Sequence, residues 1–175
     1  MDSELGTLAP TPQGDRWQLT FTRRLAHSPQ KVWRALTEPG HVSQWFPADI
    51  EGERATGAKL RFPFRDDEGP TMDGEMVLYD EPRVLEMRWG DEGLRFELEP
   101  DGDGCRLTFV NTFDEQGKAA RDAAGWHVCL DALACLLDGT EPPGGSPWKR
   151  YERIYAERFG PEAATIGPPE GLEPS

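Results

Sequence analysis

The sequence predicts an α+β fold in which an antiparallel meander packs against one long C-terminal helix, with two short helices inserted after the first strand. Three observations carry this. Several runs alternate apolar and polar residues and are joined by turn-forming clusters, the pattern of half-buried antiparallel strands. Trp126, Leu130, Leu133 and Leu137 recur at spacings of four, three and four, which marks one face of a long helix. Near the N-terminus, Val32-Trp33-Arg34-Ala35-Leu36-Thr37-Glu38-Pro39-Gly40-His41, closing with Trp45-Phe46-Pro47, reads as two short helices meeting at a Thr-Glu-Pro step.

The first strand is Trp17 to Leu25, where Trp17, Leu19, Phe21 and Leu25 alternate with polar neighbours. Arg23 falls on its apolar side. It is either a strand-end arginine whose stem packs while its head reaches water, or a cationic group at one end of a cavity. Ser28 is a good N-cap and Pro29 suits a first turn, so a helix opens there with Val32, Trp33 and Leu36 as its apolar stripe. Thr37 is expected to cap the second short helix, and Pro47 to end it. After a loop over Ala48 to Gly57, the run Ala58 to Arg65 alternates but contains Pro63, which fits only an edge or bulged strand. Asp66 to Pro70 is a turn. Strands follow over Met72 to Asp80, Val84 to Trp89, Leu94 to Glu99 and Leu107 to Phe113, separated by Glu81-Pro82-Arg83, Gly90 to Gly93 and the hairpin signal Asp101-Gly102-Asp103-Gly104. The long helix spans about Gln116 to Asp138, with Gly139 as its stop. Gly125 inside it weakens the helix by about 1 kcal/mol relative to alanine, so a neighbour or a ligand is expected close by. Pro142 to Gly145 is a linker, and Trp148, Tyr151, Tyr155 and Phe159 mark a second amphipathic helix that docks on something. The expected organisation is a flexible segment over 1–15, one domain over 16–139, a linker and docking helix over 140–160, and a disordered tail over 161–175.

Composition narrows the function. The 175 residues are 37% hydrophobic and 10% aromatic, enough for a sizeable core. A formal charge of −13 argues against nucleic-acid and anionic-membrane surfaces, both of which need clustered Lys and Arg. A solvated acidic exterior, or a patch for a basic protein partner, remains. Cys105, Cys129 and Cys135 are odd in number and widely spaced, and residues 1–15 contain no apolar signal region, which predicts reduced thiols in a cytoplasmic protein. No run is long enough to span a membrane.

The Val32 to Pro39 block with Trp45, the Gly74-Glu75-Met76 strand, the Pro82-Arg83-Val84-Leu85 to Trp89 strand, and Gly125-Trp126 with Leu130 and Leu133 together resemble the START-like superfamily, in the branch named after the activator of Hsp90 ATPase. The resemblance covers roughly Arg16 to Leu137. It implies the helix-grip arrangement, a curved antiparallel β-sheet wrapped around the long C-terminal helix over an apolar cavity. The chain departs from the family pattern at two places. His27-Ser28 stands where Ala-Pro is usual, with Pro29 one position later, and Phe46 stands where a second tryptophan is frequent. Members of the superfamily include lipid carriers, hormone receptors, aromatic cyclases and co-chaperones, so the fold alone does not choose a function.

Strand parity places Phe62, Phe64, Met87, Trp89, Phe96, Phe109 and Phe113 on the inner face, opposed by Trp126 and Leu130, with Met76 joining unless a bulge inverts its strand. Trp45 closes the helical insert onto the same space. Such residues make a ligand-binding wall or an ordinary core. Asn111 lies between Phe109 and Phe113, and must either anchor a loop or orient a ligand. Arg23 and Asn111 are the polar groups expected to converge on the cavity. His127, Asp131 and Cys135 share four-residue spacing, a weak metal pattern without a second cluster, and His127 is otherwise a histidine on the helix flank. No nucleophile elbow, phosphate loop or dinucleotide fingerprint occurs. No cofactor, metal or catalytic residue is assigned. The leading expectation is a carrier or sensor of a small hydrophobic or aromatic metabolite. The alternatives are a cyclase- or hydrolase-type enzyme using the same cavity, with Arg23, Asn111 and His127 as candidates, and a protein-binding module such as an Hsp90-type chaperone activator.

Overall fold

The computed structural model describes residues 4–64, 71–142 and 147–166. The predicted turn over Asp66 to Pro70 and the linker residues Pro143 to Gly145 lie outside them. Seven strands form one antiparallel sheet: β1 (Thr7–Pro10), β2 (Trp17–Leu25), β3 (Lys59–Phe62), β4 (Met72–Asp80), β5 (Val84–Trp89), β6 (Glu92–Asp101) and β7 (Gly104–Phe113), in the spatial order β1-β2-β7-β6-β5-β4-β3. The helices are α1 (Pro29–Thr37), α2 (Pro39–Val42), α3 (Ala119–Asp138) and α4 (Trp148–Phe159). This is the helix-grip arrangement, with α3 lying across the inner face of the sheet.

Local chemistry explains most boundaries. Ser28 Oγ accepts from the Lys31 amide at 3.2 Å and starts α1 behind Pro29. Thr37 does not cap α2. Its hydroxyl instead donates back to the Trp33 carbonyl at 2.8 Å, and Glu38 is the N-cap without a side-chain bond. The Glu38-Pro39 step already forces an extended residue, so the short helix starts without a hydroxyl cap. Gly102 and Gly90 adopt φ of +61° in the two tight hairpin loops, a conformation glycine takes without strain. Gly139 ends α3 at φ +72°, while the Thr140 amide reaches back to the Cys135 carbonyl at 2.9 Å. The register of β4 shifts between Met76 and Leu78, and Met76 still faces inward, fully buried.

Both edges of the sheet are short. β1 pairs with β2 from Thr7↔Thr20 to Pro10↔Trp17 and ends on proline. Residues 7–10 therefore form a strand where a flexible segment was expected, because the half-buried edge of β2 offers a free ladder to pair with. At the other edge β3 stops before Pro63, and its outer side is covered by Glu51, which exchanges two backbone hydrogen bonds with Arg61. Of the expected tail, Pro161–Ala163 form a 3₁₀ turn, Ala163 is buried, and the Ile166 amide bonds the Gly117 carbonyl at 3.0 Å. Order there comes from docking on the start of α3, which composition could not show.

The core lies between the sheet and α1, α3 and α4. Trp126, Leu130, Leu133 and Leu137 are all buried, as the helical spacing predicts. Each such side chain contributes about 1.5–3 kcal/mol by leaving water.

Candidate functional site

Alternation along the strands points one set of aromatic side chains at α3, and these rings touch in a continuous series. Phe96 stacks on Phe109 with centroids 4.5 Å apart, and Phe109 meets the edge of Trp126 at 4.9 Å. Trp45, whose indole donates to the Ala35 carbonyl at 2.7 Å, packs on Phe96 at 5.9 Å. Phe62, Met76, Met87, Phe113 and Leu130 are buried around this series. At its far end sits Trp89, surrounded by Trp126 at 5.6 Å, Phe46 at 5.9 Å, Phe62 at 6.2 Å and Phe64 at 6.3 Å. Phe64 and Trp89 are only half-buried, whereas the rest of the series is closed to solvent. The Trp89 indole N–H is buried and donates to no acceptor. Aromatic rings around a donor without an acceptor are the kinds of group that line small-molecule sites.

Asn111 is fully buried at the other end of Trp126. Its Oδ1 accepts from the Trp126 indole at 3.2 Å, and its amide donates to Glu92 Oε1 at 3.0 Å and to the Gly93 carbonyl at 3.3 Å. Asn111 thus joins β6, β7 and α3. Beyond it, Glu92 Oε2 accepts from Lys118 Nζ at 2.7 Å, Lys118 approaches Asp122 at 3.5 Å, and Arg121 Nε donates to Asp122 at 3.0 Å. Burial pushes the Asp122 carboxyl above its ordinary range, and the charges of Lys118 and Arg121 only partly oppose it. Burial draws the Lys118 ammonium down, but the Glu92 hydrogen bond and the charges of Asp122 and Glu92 leave it raised. Burial thus prevails on the acid and the carboxylates prevail on the amine. Sequence reasoning missed this cluster. The four-residue step from Lys118 to Asp122 was its visible signal.

A second polar group forms where α4 crosses α3. His127 was expected on the helix flank; it is fully buried, because α4 lies over it. Its ring stacks on Tyr151 with centroids 3.9 Å apart. The Gly6 amide donates to the Tyr155 hydroxyl at 2.8 Å, and that hydroxyl lies 2.7 Å from His127 Nδ1. With the hydroxyl donating to Nδ1, the ring proton sits on Nε2, which faces Asp131 Oδ2 at 3.7 Å. Tyr151 donates to the same Asp131 oxygen at 3.1 Å. Arg23 also belongs here rather than with Asn111. Its Nε and Nη2 are closed to water, and only 8% of the residue is exposed. Burial lowers the guanidinium's affinity for its proton, opposed by Asp131, Tyr155, Glu4 and Tyr151 in that order. Arg23 and Asn111, expected to converge, therefore serve different places. His27 pairs with Asp138 at 2.7 Å, and among the described residues no three His, Cys, Asp or Glu side chains are grouped to hold a metal. A surface groove of about 890 Å³ lies apart from the inner face, lined by Thr37, Glu38, Asp49, Glu51, Arg54 and Tyr79, residues not placed there by strand parity.

A curved antiparallel sheet gripping α3, with an aromatic series between them, defines a START-like helix-grip protein. The chain belongs to the family described as activator of Hsp90 ATPase homolog 1-like protein, whose model matches residues 26–138. Among solved structures it is similar to CalU16 from Micromonospora echinospora, with 21% identity, 93% of this chain and 98% of that one covered, and a TM-score of 0.71. A conserved protein of unknown function from Enterococcus faecalis, EF2215, aligns at 25% identity over 88% of this chain and 90% of its own, with a TM-score of 0.70. DynU16, a protein of the dynemicin biosynthetic locus, aligns at 23% identity over 71% of this chain and 48% of its own, with a TM-score of 0.62. No curated protein matches the chain. Among the described residues no helix is long and apolar enough to cross a membrane.

Proposed function

We propose that the chain binds a small hydrophobic or aromatic metabolite between the inner face of the sheet and α3, acting as a carrier or sensor. Trp89 is the observation that carries this reading. Its indole N–H is buried without an acceptor, while its ring is flanked by Phe46, Phe62, Phe64 and Trp126. A flat ligand with an acceptor oxygen would use both features, gaining apolar contact and relieving an unmet donor. Met76, Met87, Phe96, Phe109, Phe113 and Leu130 form the wall behind it, and Trp45 closes its helical side. One structural neighbour comes from a biosynthetic locus, which supports a metabolite as the occupant.

The test is calorimetric titration with 2-naphthol and with naphthalene, the same rings with and without the oxygen. Both should bind saturably, with 2-naphthol the tighter by about 0.5–1.5 kcal/mol, and Trp89→Phe should erase that difference. No saturable binding of either would overturn the reading. Turnover in the same space is a second reading, favoured by the partly buried Glu92–Lys118–Asp122 cluster joined to Trp126 through Asn111. Asp122, held toward its protonated form, would be the proton donor of a cyclase- or hydrolase-type step. Product formation from a captured metabolite, abolished in Asp122→Asn, is its expected outcome, and an unchanged rate in that variant removes it.

A further inference from the structure

Arg23 stands on β2 three residues beyond the last one paired with β1, so it pairs with Leu107 of β7 on one side only, and Glu4, Asp131 of α3 and Tyr151 and Tyr155 of α4 act on its guanidinium. Its Nη1 donates to the Thr22 carbonyl at 2.9 Å, and the guanidinium lies 5.8 Å from the centre of the Phe21 ring. Nε and Nη2 are buried and donate to nothing. These two nitrogens form the side edge of the guanidinium, the edge that meets both oxygens of a carboxylate in parallel hydrogen bonds. The nearby oxygens leave it unserved. The Tyr155 hydroxyl is engaged by Gly6 and His127, and Asp131 Oδ2 takes the Tyr151 hydroxyl. Asp131 and Glu4 act on Arg23 through their charge, without a hydrogen bond to Nε or Nη2.

We propose that Arg23 anchors an oxyanion site, separate from the aromatic space around Trp89, which takes the carboxylate of a small aromatic acid through Nε and Nη2. A single cation flanked by Asp131 and Glu4 suits one negative charge better than the two of a phosphate. The rings of Phe21 and Tyr155, in edge-to-face contact beside the fork with centroids 6.4 Å apart, give the body behind the carboxylate aromatic surface to pack on. Residues 4–6, beside the fork, have no regular secondary structure and include the exposed Glu4.

The experiment follows the Arg23 Nε–H resonance by NMR in the full chain during titration with benzoate, with benzamide as the uncharged isostere, and with inorganic phosphate. Benzoate should shift the resonance saturably, benzamide should not, and phosphate should bind more weakly. Arg23→Lys keeps the charge but loses the fork, so benzoate affinity should fall by roughly tenfold or more. Glu4→Gln, at an exposed position, should tighten benzoate severalfold by removing a like charge. Absence of a saturable benzoate shift, an equal response to benzamide, tighter binding of phosphate, or weaker benzoate binding in Glu4→Gln would each overturn the proposal. Should Arg23→Lys fail to fold, the wild-type resonance and Glu4→Gln still decide.

Discussion

Asn111 shows how a single buried amide sets geometry. It holds Trp126 and Glu92 at once, so Asn111→Ala leaves an indole N–H and part of a carboxylate without partners. The loss should be about 1–3 kcal/mol in urea unfolding. Two glycines separate sharply in what a methyl group would do. At Gly74 an added Cβ would overlap the Arg88 carbonyl across β4 and β5, so Gly74→Ala should disrupt that pairing and cost at least about 2 kcal/mol. At Gly125 the nearest group is Trp148 Nε1, at an ordinary contact distance of 4.0 Å. Gly125→Ala should therefore stabilise the protein by up to about 1 kcal/mol, read as a higher urea midpoint at unchanged slope. Strand parity made the burial of Asn111 legible in the sequence. Its partners were not, because they come from positions 15 and 19 residues away and parity says nothing about which strand becomes the neighbour.

At the scale of elements, α4 is the instructive case. The spacing of Trp148, Tyr151, Tyr155 and Phe159 disclosed a buried face, and Tyr151 and Tyr155 are indeed buried. Periodicity names the side that is covered but not the surface that covers it. Only the folded chain shows that the tyrosines lie on His127, and that Tyr155 ties the N-terminal segment to α3 through Gly6. Tyr155→Phe should cost about 1–3 kcal/mol and speed amide exchange at Gly6, while the most protected sheet amides lose no more protection than the global loss itself. Burial raises the pKa of both phenols above the ordinary 10.0, against the pull of Arg150 on Tyr151 and of Gly6 and Arg23 on Tyr155. The unfolded chain then ionises first. The contribution of these phenols to stability is complete below pH 10 and is lost as pH rises through their folded values. Stability of the wild type should fall more steeply above pH 10 than that of the Tyr151→Phe, Tyr155→Phe double variant, measured by urea unfolding across that range.

For the molecule as a whole, charge and sheet architecture set the behaviour in solution. A net charge of −13 opposes compaction, so raising the salt from about 0.01 M to about 0.15 M should raise the melting temperature by screening self-repulsion. Asp122 runs with the acid side of that balance. Its folded pKa is raised, so its contribution is complete below the ordinary 3.8 and is lost as pH rises through the folded value. Asp122→Asn should remove that loss, which a comparison of unfolding free energies at pH 4 and pH 7 would show as a smaller acid-to-neutral difference. The architecture was legible because strand alternation, turn chemistry and the α3 stripe agree with one another. The two polar clusters were not, because each is assembled from elements far apart in sequence. The short sheet edges have one further consequence. A seven-stranded sheet closes no ring, and an open ladder of amides can recruit strands from other molecules into fibres. Here one rim ends on a proline, and the other is cut short by Pro63 and occupied by Glu51. Each rim of the folded sheet is thereby made a poor template for a further strand.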